Sequence, residues 1–193
     1  MAFKDTILME IQEWIDGAFE ETDTDYTIAG MNILYKNEED YLAKGVKLLC
    51  EKIKPTSVLE FGFGKGWTAT EFQEQGVKRH VILEPNKENY QMALEWKNNY
   101  STDIEILNIF SWDYDSDEVF DLVYNDRVPF SNETEVLHET NIKNILSEDS
   151  YYARNAGVAR ISSNKSSDDC SILFEHNGVS YKQSLFKGLY GNN

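Results

Sequence analysis

The stretch VLEFGFGKGW, Val58 to Trp67, decides the fold of this 193-residue chain. Its apolar first half is typical of a buried strand, and the helical pattern WTATEFQEQ begins at its end. A strand that passes through glycines into a helix exposes backbone and unpaired helix N–H groups at one edge of a parallel sheet. We therefore expect a ligand crevice beside Gly62, Gly64 and Gly66.

Three more apolar runs follow. One helical pattern precedes the first of these runs, and a second lies between the first run and the second. The runs RHVILEP, DIEILNI and VFDLVYN are rich in Val, Ile and Leu, which predicts strands. Strands that alternate with helices predict an α/β fold, with a Rossmann-like, mostly parallel sheet that carries helices on both faces.

The C-terminal part has a different pattern. The run SILFEHNGVSYKQSLF alternates around Asn177-Gly178, a strong signal for a two-residue hairpin turn. The segment NKSSDDC, which separates this run from the predicted strand GVARISSN, is too short for a crossover helix. We therefore expect the sheet to end in antiparallel strands, within a shortened C-terminal part.

The N-terminal part is predicted to be helical. Apolar residues recur at spacings of three to four between residues 5 and 20, which predicts an amphipathic helix, and the polar stretch ETDTDY follows as a connector. A second helical pattern, EEDYLAKGVKLLCEKIK, stops before Pro55. We expect a helical lid over residues 1–30 and one Rossmann-like domain over residues 31–193.

Charge and composition restrict the partners. The formal net charge is −16 and the pI is near 4.5. A negative charge of this size repels nucleic acids and anionic lipid surfaces, and it favours a small, cationic substrate. No segment approaches about 18 apolar residues, and we identify no signal peptide. Two cysteines, Cys50 and Cys170, are too few for a disulfide framework. We expect a cytoplasmic protein without a membrane partner, of open oligomeric state.

The glycine stretch argues against a nucleotide ligand. Its G-x-G-x-G spacing differs from the dinucleotide pattern G-x-G-x-x-G, and the GK[ST] ending of a phosphate-binding loop is missing. In addition, a Glu60 carboxylate about 6 Å from a phosphate oxygen costs about 3 kcal/mol at an effective dielectric of about 20. A ligand with an ammonium and a sulfonium gains from the same carboxylate, and S-adenosylmethionine has both.

The segment E-F-G-F-G-K-G, residues 60–66, resembles motif I of the class I S-adenosylmethionine-dependent methyltransferases. The resemblance implies that Glu60 faces the methionine amino group of the cofactor. It also implies that Gly62, Gly64 and Gly66 let the backbone approach the cofactor closely.

Two later positions extend this resemblance. Glu84, followed by Pro85, ends the next predicted strand, and its carboxylate can accept two hydrogen bonds from a ribose diol. The interval of about 20 residues from the glycines is that of one βαβ step, and in the family this acid binds the ribose. By the same resemblance Ser111, Trp112 and Asp113 contact the adenine.

The fourth apolar run ends where class I methyltransferases hold the methyl acceptor, and its polar residues are Tyr124, Asn125 and Asp126. The stretch Y-N-D-R-V-P-F-S-N-E-T resembles Y-D-x-Y-P-[apolar]-S-x-E-T of the guanidinoacetate N-methyltransferase type, with one extra residue before Pro129. Around Glu38, N-E-E-D-Y-L has the acid-to-tyrosine spacing of that type's W-E-x-P-Y-M. Two acids would then flank a cationic amine or guanidine, and one would take its proton.

The chain departs from that pattern at several positions. Asn37 stands in place of the tryptophan, and the extra residue leaves open whether Asn125 or Asp126 replaces the acid. We favour Asp126, because only it can carry a charge. For Glu38, an acid favoured by the dipole at a helix N-terminus is an equally good explanation. No two histidines have metal-ligand spacing, so we predict no metal site.

These patterns predict an S-adenosylmethionine-dependent methyltransferase that acts on the nitrogen of a small cationic amine or guanidine. Two alternatives stay open. One is the same enzyme class with a hydroxyl, carboxylate or protein acceptor. The other is a non-catalytic protein that binds S-adenosylmethionine or S-adenosylhomocysteine.

Overall fold

The computed structural model describes residues 11–158 and 171–187. In this part of the chain the strands are β1 Phe19–Glu21, β2 Asp25–Ile28, β3 Met31–Tyr35, β4 Ser57–Phe61, β5 Arg79–Leu83, β6 Asp103–Leu107, β7 Leu122–Asn125, β8 Tyr151–Arg154, β9 Gly157–Val158, β10 Ile172–His176, β11 Val179–Gln183 and β12 Leu185–Lys187. The helices are α1 (described over 11–16), α2 Glu39–Ile53, α3 Trp67–Glu74, α4 Lys87–Lys97 and α5 Asn132–Ile145. No described helix is long and apolar enough to cross a membrane.

The central sheet confirms the predicted fold class. Its six strands run in the order β12-β8-β7-β4-β5-β6. The pairs from β8 to β6 are parallel, and β12 alone is antiparallel to its neighbour. After β4 the chain builds outward through β5 and β6, and then returns to place β7 on the other side of β4. The strand order therefore reverses between β4 and β7, which is where open parallel sheets bind their ligands.

Helices cover both faces of this sheet. On one face Leu59 and Phe61 of β4 pack in a core with Ile142 and Ile145 of α5. On the other face Val58 packs with residues of α2 and α3. Because successive strand residues point to opposite faces, Glu60 lies on the same face as Val58, away from α5.

The N-terminal part differs from the predicted helix over residues 5–20. The described helix ends at residue 16, and β1, β2 and β3 form an antiparallel three-stranded sheet. Burial alternates along β2, where Tyr26 and Ile28 are buried, so the segment expected to be a polar connector has the period of a strand. The boundary expected at residue 30 falls in the turn between β2 and β3, and the division into lid and domain stays a prediction.

The C-terminal hairpin is confirmed, but it does not join the central sheet. Asn177 and Gly178 turn between β10 and β11 with positive φ angles of 48° and 74°. This hairpin pairs with β9 in a separate sheet, and β12 returns to the central sheet. The predicted strand GVARISSN begins as β9, while its residues 159–164 lie outside the described residues, as does Cys170. The described cysteine, Cys50, is buried and has a free thiol.

Candidate functional site

A pocket opens at the C-terminal edge of β4, β5 and β7, where the strand order reverses. The glycine loop, the ends of these strands and the described part of α1 contribute to its wall. The lining residues are Trp14, Ile33, Leu34, Phe61, Gly62, Gly64, Leu83, Glu84, Pro85, Asn89, Phe110, Ser111, Trp112, Asp126, Arg127, Val128 and Phe130. Seven of the residues predicted from the sequence thus meet at one edge of the sheet: Gly62, Gly64, Glu84, Pro85, Ser111, Trp112 and Asp126.

The glycine loop leaves no space for side chains. A Cβ atom on Gly62, which has a φ of +91°, would lie 2.9 Å from the backbone oxygen of Asp126. A Cβ atom on Gly64 would lie 2.8 Å from Leu34 Cδ1. Gly66 lies outside the pocket wall and precedes α3, packed against the Phe63 ring. The first two glycines therefore hold the β4 loop close to the β7 loop and to β3.

Glu84 is buried at the end of β5 and organises the glycine loop. Its Oε2 accepts a hydrogen bond from Phe63 N at 2.9 Å, and its Oε1 accepts one from Asn86 N at 2.9 Å. Burial raises the pKa of Glu84 to about 6, although these donors lower it. The Gly64 backbone and the Asn89 side chain also donate to this carboxylate. Four protein donors thus contact Glu84, and its predicted contact with a ribose diol stays a prediction.

Glu60 does not contribute to the pocket wall. Its side chain is fully buried, Thr68 Oγ1 donates to its Oε1 at 2.5 Å, and His80 Nε2 lies 2.9 Å from its Oε2. The side-chain period of the strand is the reason, because it directs Glu60 toward α3 and Phe61 toward the pocket. The predicted contact between Glu60 and the methionine amino group stays a prediction, and the carboxylate oxygens already contact His80 and Thr68.

The predicted adenine residues lie on a short 3-10 turn, Ser111–Asp113, after β6. Trp112 lines the pocket and stacks on Phe110, with ring centroids 4.2 Å apart and planes at 9°. Ser111 Oγ lies 2.7 Å from His138 Nδ1. Asp113 is exposed and lies outside the wall, and partial burial raises its pKa. The turn therefore brings an aromatic ring and a hydroxyl to the pocket but leaves the carboxylate at its rim.

The three polar residues at the end of β7 point in different directions. Tyr124 is fully buried among core residues, its ring 5.3 Å from that of Phe72. Asn125 Nδ2 contacts Tyr152 Oη at 2.8 Å and His138 Nε2 at 3.0 Å. Asp126 alone lines the pocket. Burial, followed by the negative charge of Glu60, raises the pKa of Asp126 well above its usual range.

Glu38 lies near this acid but outside the pocket wall. Its Oε2 accepts a hydrogen bond from Tyr35 N at 3.0 Å, and its Oε1 accepts one from Tyr41 Oη at 2.7 Å. Its charge contributes to the raised pKa of Asp126. The bond to Tyr35 caps the start of a 3-10 turn, which supports the structural explanation of this acid, and its contact with a substrate stays a prediction.

Several pocket residues were not predicted. Trp14 is 6% exposed and Asn89 is 1% exposed, and Trp14 Nε1 and Asn89 Oδ1 have no hydrogen-bond partner in the described part of the chain. Asn86 Nδ2 fixes the end of α1 over the pocket by donating to Trp14 O at 2.7 Å and to Gly17 O at 2.9 Å. Trp14 had a sequence signal as a member of the apolar stripe of α1, whereas Asn89 had none.

The pocket fits S-adenosylmethionine. Two glycines leave backbone bare, and the Trp112 ring offers a face for a base. Trp14 Nε1 and Asn89 Oδ1 are a buried donor and a buried acceptor that have no partner among residues 11–158 and 171–187, and buried polar groups are normally hydrogen-bonded. A ligand with ribose hydroxyls, an adenine and a zwitterionic amino acid can pair both.

Comparisons with known proteins agree with this fit. A family model described as guanidinoacetate N-methyltransferase matches residues 10–168. Three solved structures share the fold. The N-methyltransferase NodS from Bradyrhizobium japonicum with S-adenosyl-L-homocysteine is 10% identical, with 79% of this chain and 88% of that chain covered and a TM-score of 0.58.

The second is the Burkholderia thailandensis 1,6-didemethyltoxoflavin-N1-methyltransferase with 1,6-didemethyltoxoflavin and S-adenosylhomocysteine. It is 13% identical, with 79% of this chain and 80% of that chain covered and a TM-score of 0.56. The third is TehB from Haemophilus influenzae. It is 16% identical, with 78% of this chain and 66% of that chain covered and a TM-score of 0.55. A comparison with curated proteins found no match.

Proposed function

Because the chain belongs to the guanidinoacetate N-methyltransferase family, whose model matches residues 10–168, we propose that it methylates the nitrogen of a small cationic amine or guanidine. It is an S-adenosylmethionine-dependent methyltransferase. The family establishes the methyl donor and the class of enzyme, and the acceptor is the part that we infer from the site.

The observation that carries this proposal is the group of three acidic side chains, Asp126, Glu60 and Glu38, at the end of β7. Asp126 lines the pocket, and its pKa is raised first by burial and then by the charges of Glu60 and Glu38. The adjacent cation, Arg127, also lines the pocket. Its Nη2 lies 2.6 Å from Glu135 Oε1, while its Nε and Nη1 are buried and have no hydrogen-bond partner among the described residues. A cationic acceptor bound at Asp126 relieves this repulsion and gains a charge-assisted hydrogen bond. A neutral acceptor gains neither.

Within the reaction, S-adenosylmethionine supplies an activated methyl group on a sulfonium. The residues of this chain orient the reactants and move one proton. Glu84 accepts hydrogen bonds from the ribose diol, while Trp112 packs on the adenine with Ser111 and Asp113 beside it. Asp126 accepts the proton that the acceptor nitrogen loses as it forms the new N–C bond. Trp14 and Phe130 shield the pocket from water.

The contacts of Asn125 support Asp126 as the acid of the site. The side-chain amide of Asn125 contacts Tyr152 and His138. Burial, followed by the charge of Arg127, lowers the pKa of His138 to about 3. The His138 ring is therefore neutral, and it packs between Ser111 and Asn125. We assign Asn125 a positioning role, and we assign Tyr124 no contact with the acceptor, because its side chain is fully buried.

Other features support a small acceptor. The net charge of −16 attracts cations, and the relative from Burkholderia thailandensis binds the small heterocycle 1,6-didemethyltoxoflavin. The cytoplasmic location inferred from the sequence remains part of this proposal, and so does the small-molecule character of the substrate.

A labelled-methyl assay over amines, guanidines, hydroxyl compounds and carboxylates tests the proposal. We expect transfer to a cationic nitrogen compound, and a loss of about 100-fold or more in kcat for Asp126→Asn, since a positioned general base contributes that much. Asp115→Asn removes one negative charge at an exposed position and serves as the matched control, with kcat unchanged. Transfer to hydroxyl or carboxylate compounds alone would overturn the acceptor class.

A further inference from the structure

Asn89 places an unpaired acceptor beside Glu84, in the wall of the pocket. The residue lies in the first turn of α4, it is 1% exposed, and it lines the pocket. Its side-chain Oδ1 is buried and has no hydrogen-bond partner in the two described ranges, 11–158 and 171–187. A buried amide oxygen without a donor is costly, so a pocket ligand with a donor group gains by pairing it.

Two contacts fix the direction of this amide. The Asn89 side chain donates to the Glu84 carboxylate, and an asparagine side chain can donate only through its nitrogen. The backbone N of Asn89 donates to Asn86 Oδ1 at 2.9 Å, the bond that caps α4. Because the amide nitrogen is held on Glu84 and the backbone is held by the cap, Oδ1 is the end of the side chain that stays available to a ligand.

The neighbouring acid already has several protein donors. Phe63 N and Asn86 N each donate to Glu84 at 2.9 Å, and the Gly64 backbone and the Asn89 side chain also donate to it. Two carboxylate oxygens have about four lone-pair sites, so these donors compete with a diol for the same oxygens. A diol has two hydroxyls that can donate, and a second acceptor beside the acid provides a partner for each of them.

We propose that Asn89 is a specificity-determining residue for the cofactor: its Oδ1 accepts a hydrogen bond from one ribose hydroxyl, while Glu84 accepts one from the other. The inference deepens the proposed function and rests on its cofactor, S-adenosylmethionine, rather than on the methyl acceptor. A ligand with a deoxyribose leaves the buried Oδ1 unpaired. A site built to pair a hydroxyl discriminates strongly against an analogue that lacks it, so Asn89 selects a ribose over a deoxyribose.

An amide suits this position better than a second acid. A carboxylate here would add a like charge beside Glu84, whose pKa burial already raises to about 6, and like charges disfavour ionisation. It would also have no N–H to donate to Glu84. The Asn89 amide instead stabilises the ionised Glu84 with its nitrogen and offers a neutral acceptor with its oxygen, so the ribose gains a partner without further charge repulsion.

Calorimetry on the full chain with S-adenosylhomocysteine and its 2′-deoxy and 3′-deoxy analogues tests this role without a methyl acceptor. In the wild type we expect the analogue that lacks the hydroxyl paired with Asn89 to bind about tenfold more weakly, the worth of one hydrogen bond. In Asn89→Ala, whose backbone N can still cap α4, S-adenosylhomocysteine should lose about the same factor, and that analogue should bind the variant as tightly as S-adenosylhomocysteine does. Gln91→Ala removes an exposed amide from the same helix and should leave all three affinities unchanged.

A role of Asn89 through Glu84 alone would weaken all three ligands in Asn89→Ala and preserve the differences between them. Equal differences in Asn89→Ala and the wild type therefore overturn the proposal. A wild type that binds both deoxy analogues as tightly as S-adenosylhomocysteine also overturns it, and this result needs no variant that folds. Absence of methyl transfer to any cationic nitrogen compound defeats the proposed acceptor instead, and the three affinities still decide on Asn89.

Discussion

Replacing Gly62 by alanine tests the close approach between the β4 and β7 loops, on which the geometry of the pocket depends. Gly62 has a φ of +91°, and a Cβ atom there would lie 2.9 Å from Asp126 O and 3.3 Å from Asp126 C. Both contacts are with backbone, so no side-chain rotation can relieve them. The substitution must either push the two loops apart or distort the turn.

The expected decrease in the free energy of unfolding has two contributions. A positive φ costs an alanine about 1 to 2 kcal/mol, and forcing an extra methyl group into packed surroundings costs about 1 to 3 kcal/mol. We therefore expect Gly62→Ala to lower the free energy of unfolding by about 2 to 5 kcal/mol. Gly76→Ala is the matched control, because Gly76 has a φ of +86° and a Cβ atom there would meet nothing within 4 Å. The control should lose only the first part.

Urea unfolding, followed by circular dichroism, measures both variants, and calorimetry with S-adenosylhomocysteine measures the effect on the pocket. We expect the cofactor product to bind the control as it binds the wild type, and Gly62→Ala more weakly. If the free energy of unfolding of Gly62→Ala lies within about 0.5 kcal/mol of that of the control, the usual scatter of such comparisons, the close approach does not stabilise the site and the reasoning is wrong.

Two further predictions concern the cofactor side of the pocket. Burial raises the pKa of Glu84 to about 6, so its ionised form, the better acceptor for a diol, is lost as the pH falls through that value. The affinity for S-adenosylhomocysteine, measured by calorimetry, should therefore fall about tenfold from pH 7 to pH 5. An equally steep pH dependence in Glu84→Gln would contradict this. Asn86→Asp keeps the side-chain oxygen that accepts from Asn89 N and loses the donor to Trp14 O and Gly17 O. In this variant we expect faster hydrogen exchange over residues 11–16, with α4 still protected, whereas Asn86→Ala should also lose about 1 kcal/mol of helix capping. Equal exchange rates in Asn86→Asp and the wild type would show that Asn86 does not hold α1.

Local patterns predicted the elements that position the site. The strands β4 to β7, the helices α2 to α4 and the Asn177-Gly178 turn follow from periodicity, a proline stop and turn chemistry, which act within a few residues. The segment of β1 and β2 was missed, because its strands are short and polar on one side. Their burial depends on Trp67 of α3 and on α2, which pack against Tyr26 and Leu34.

The sequence also predicted seven of the seventeen residues that line the pocket, for a topological reason. The carboxyl ends of parallel strands meet at one edge of a sheet, so residues that follow separate strands, such as Glu84, Ser111 and Asp126, come together in space. The topology does not predict the direction in which each side chain points at that edge. Asn125 and Asp126 are adjacent in the chain, yet the first contacts Tyr152 and the second lines the pocket.

By itself, then, the sequence determined the parallel sheet and the cofactor class, because these depend on local periodicity and on a motif within seven residues. Only the tertiary structure decided what each acid contacts. Glu60 lies against His80 and Thr68 because the neighbouring strand β5 and the helix α3 bring those side chains to it, and a buried carboxylate depends on the contacts that packing supplies. Such partners lie 8 and 20 residues away along the chain, and no local pattern encodes their meeting.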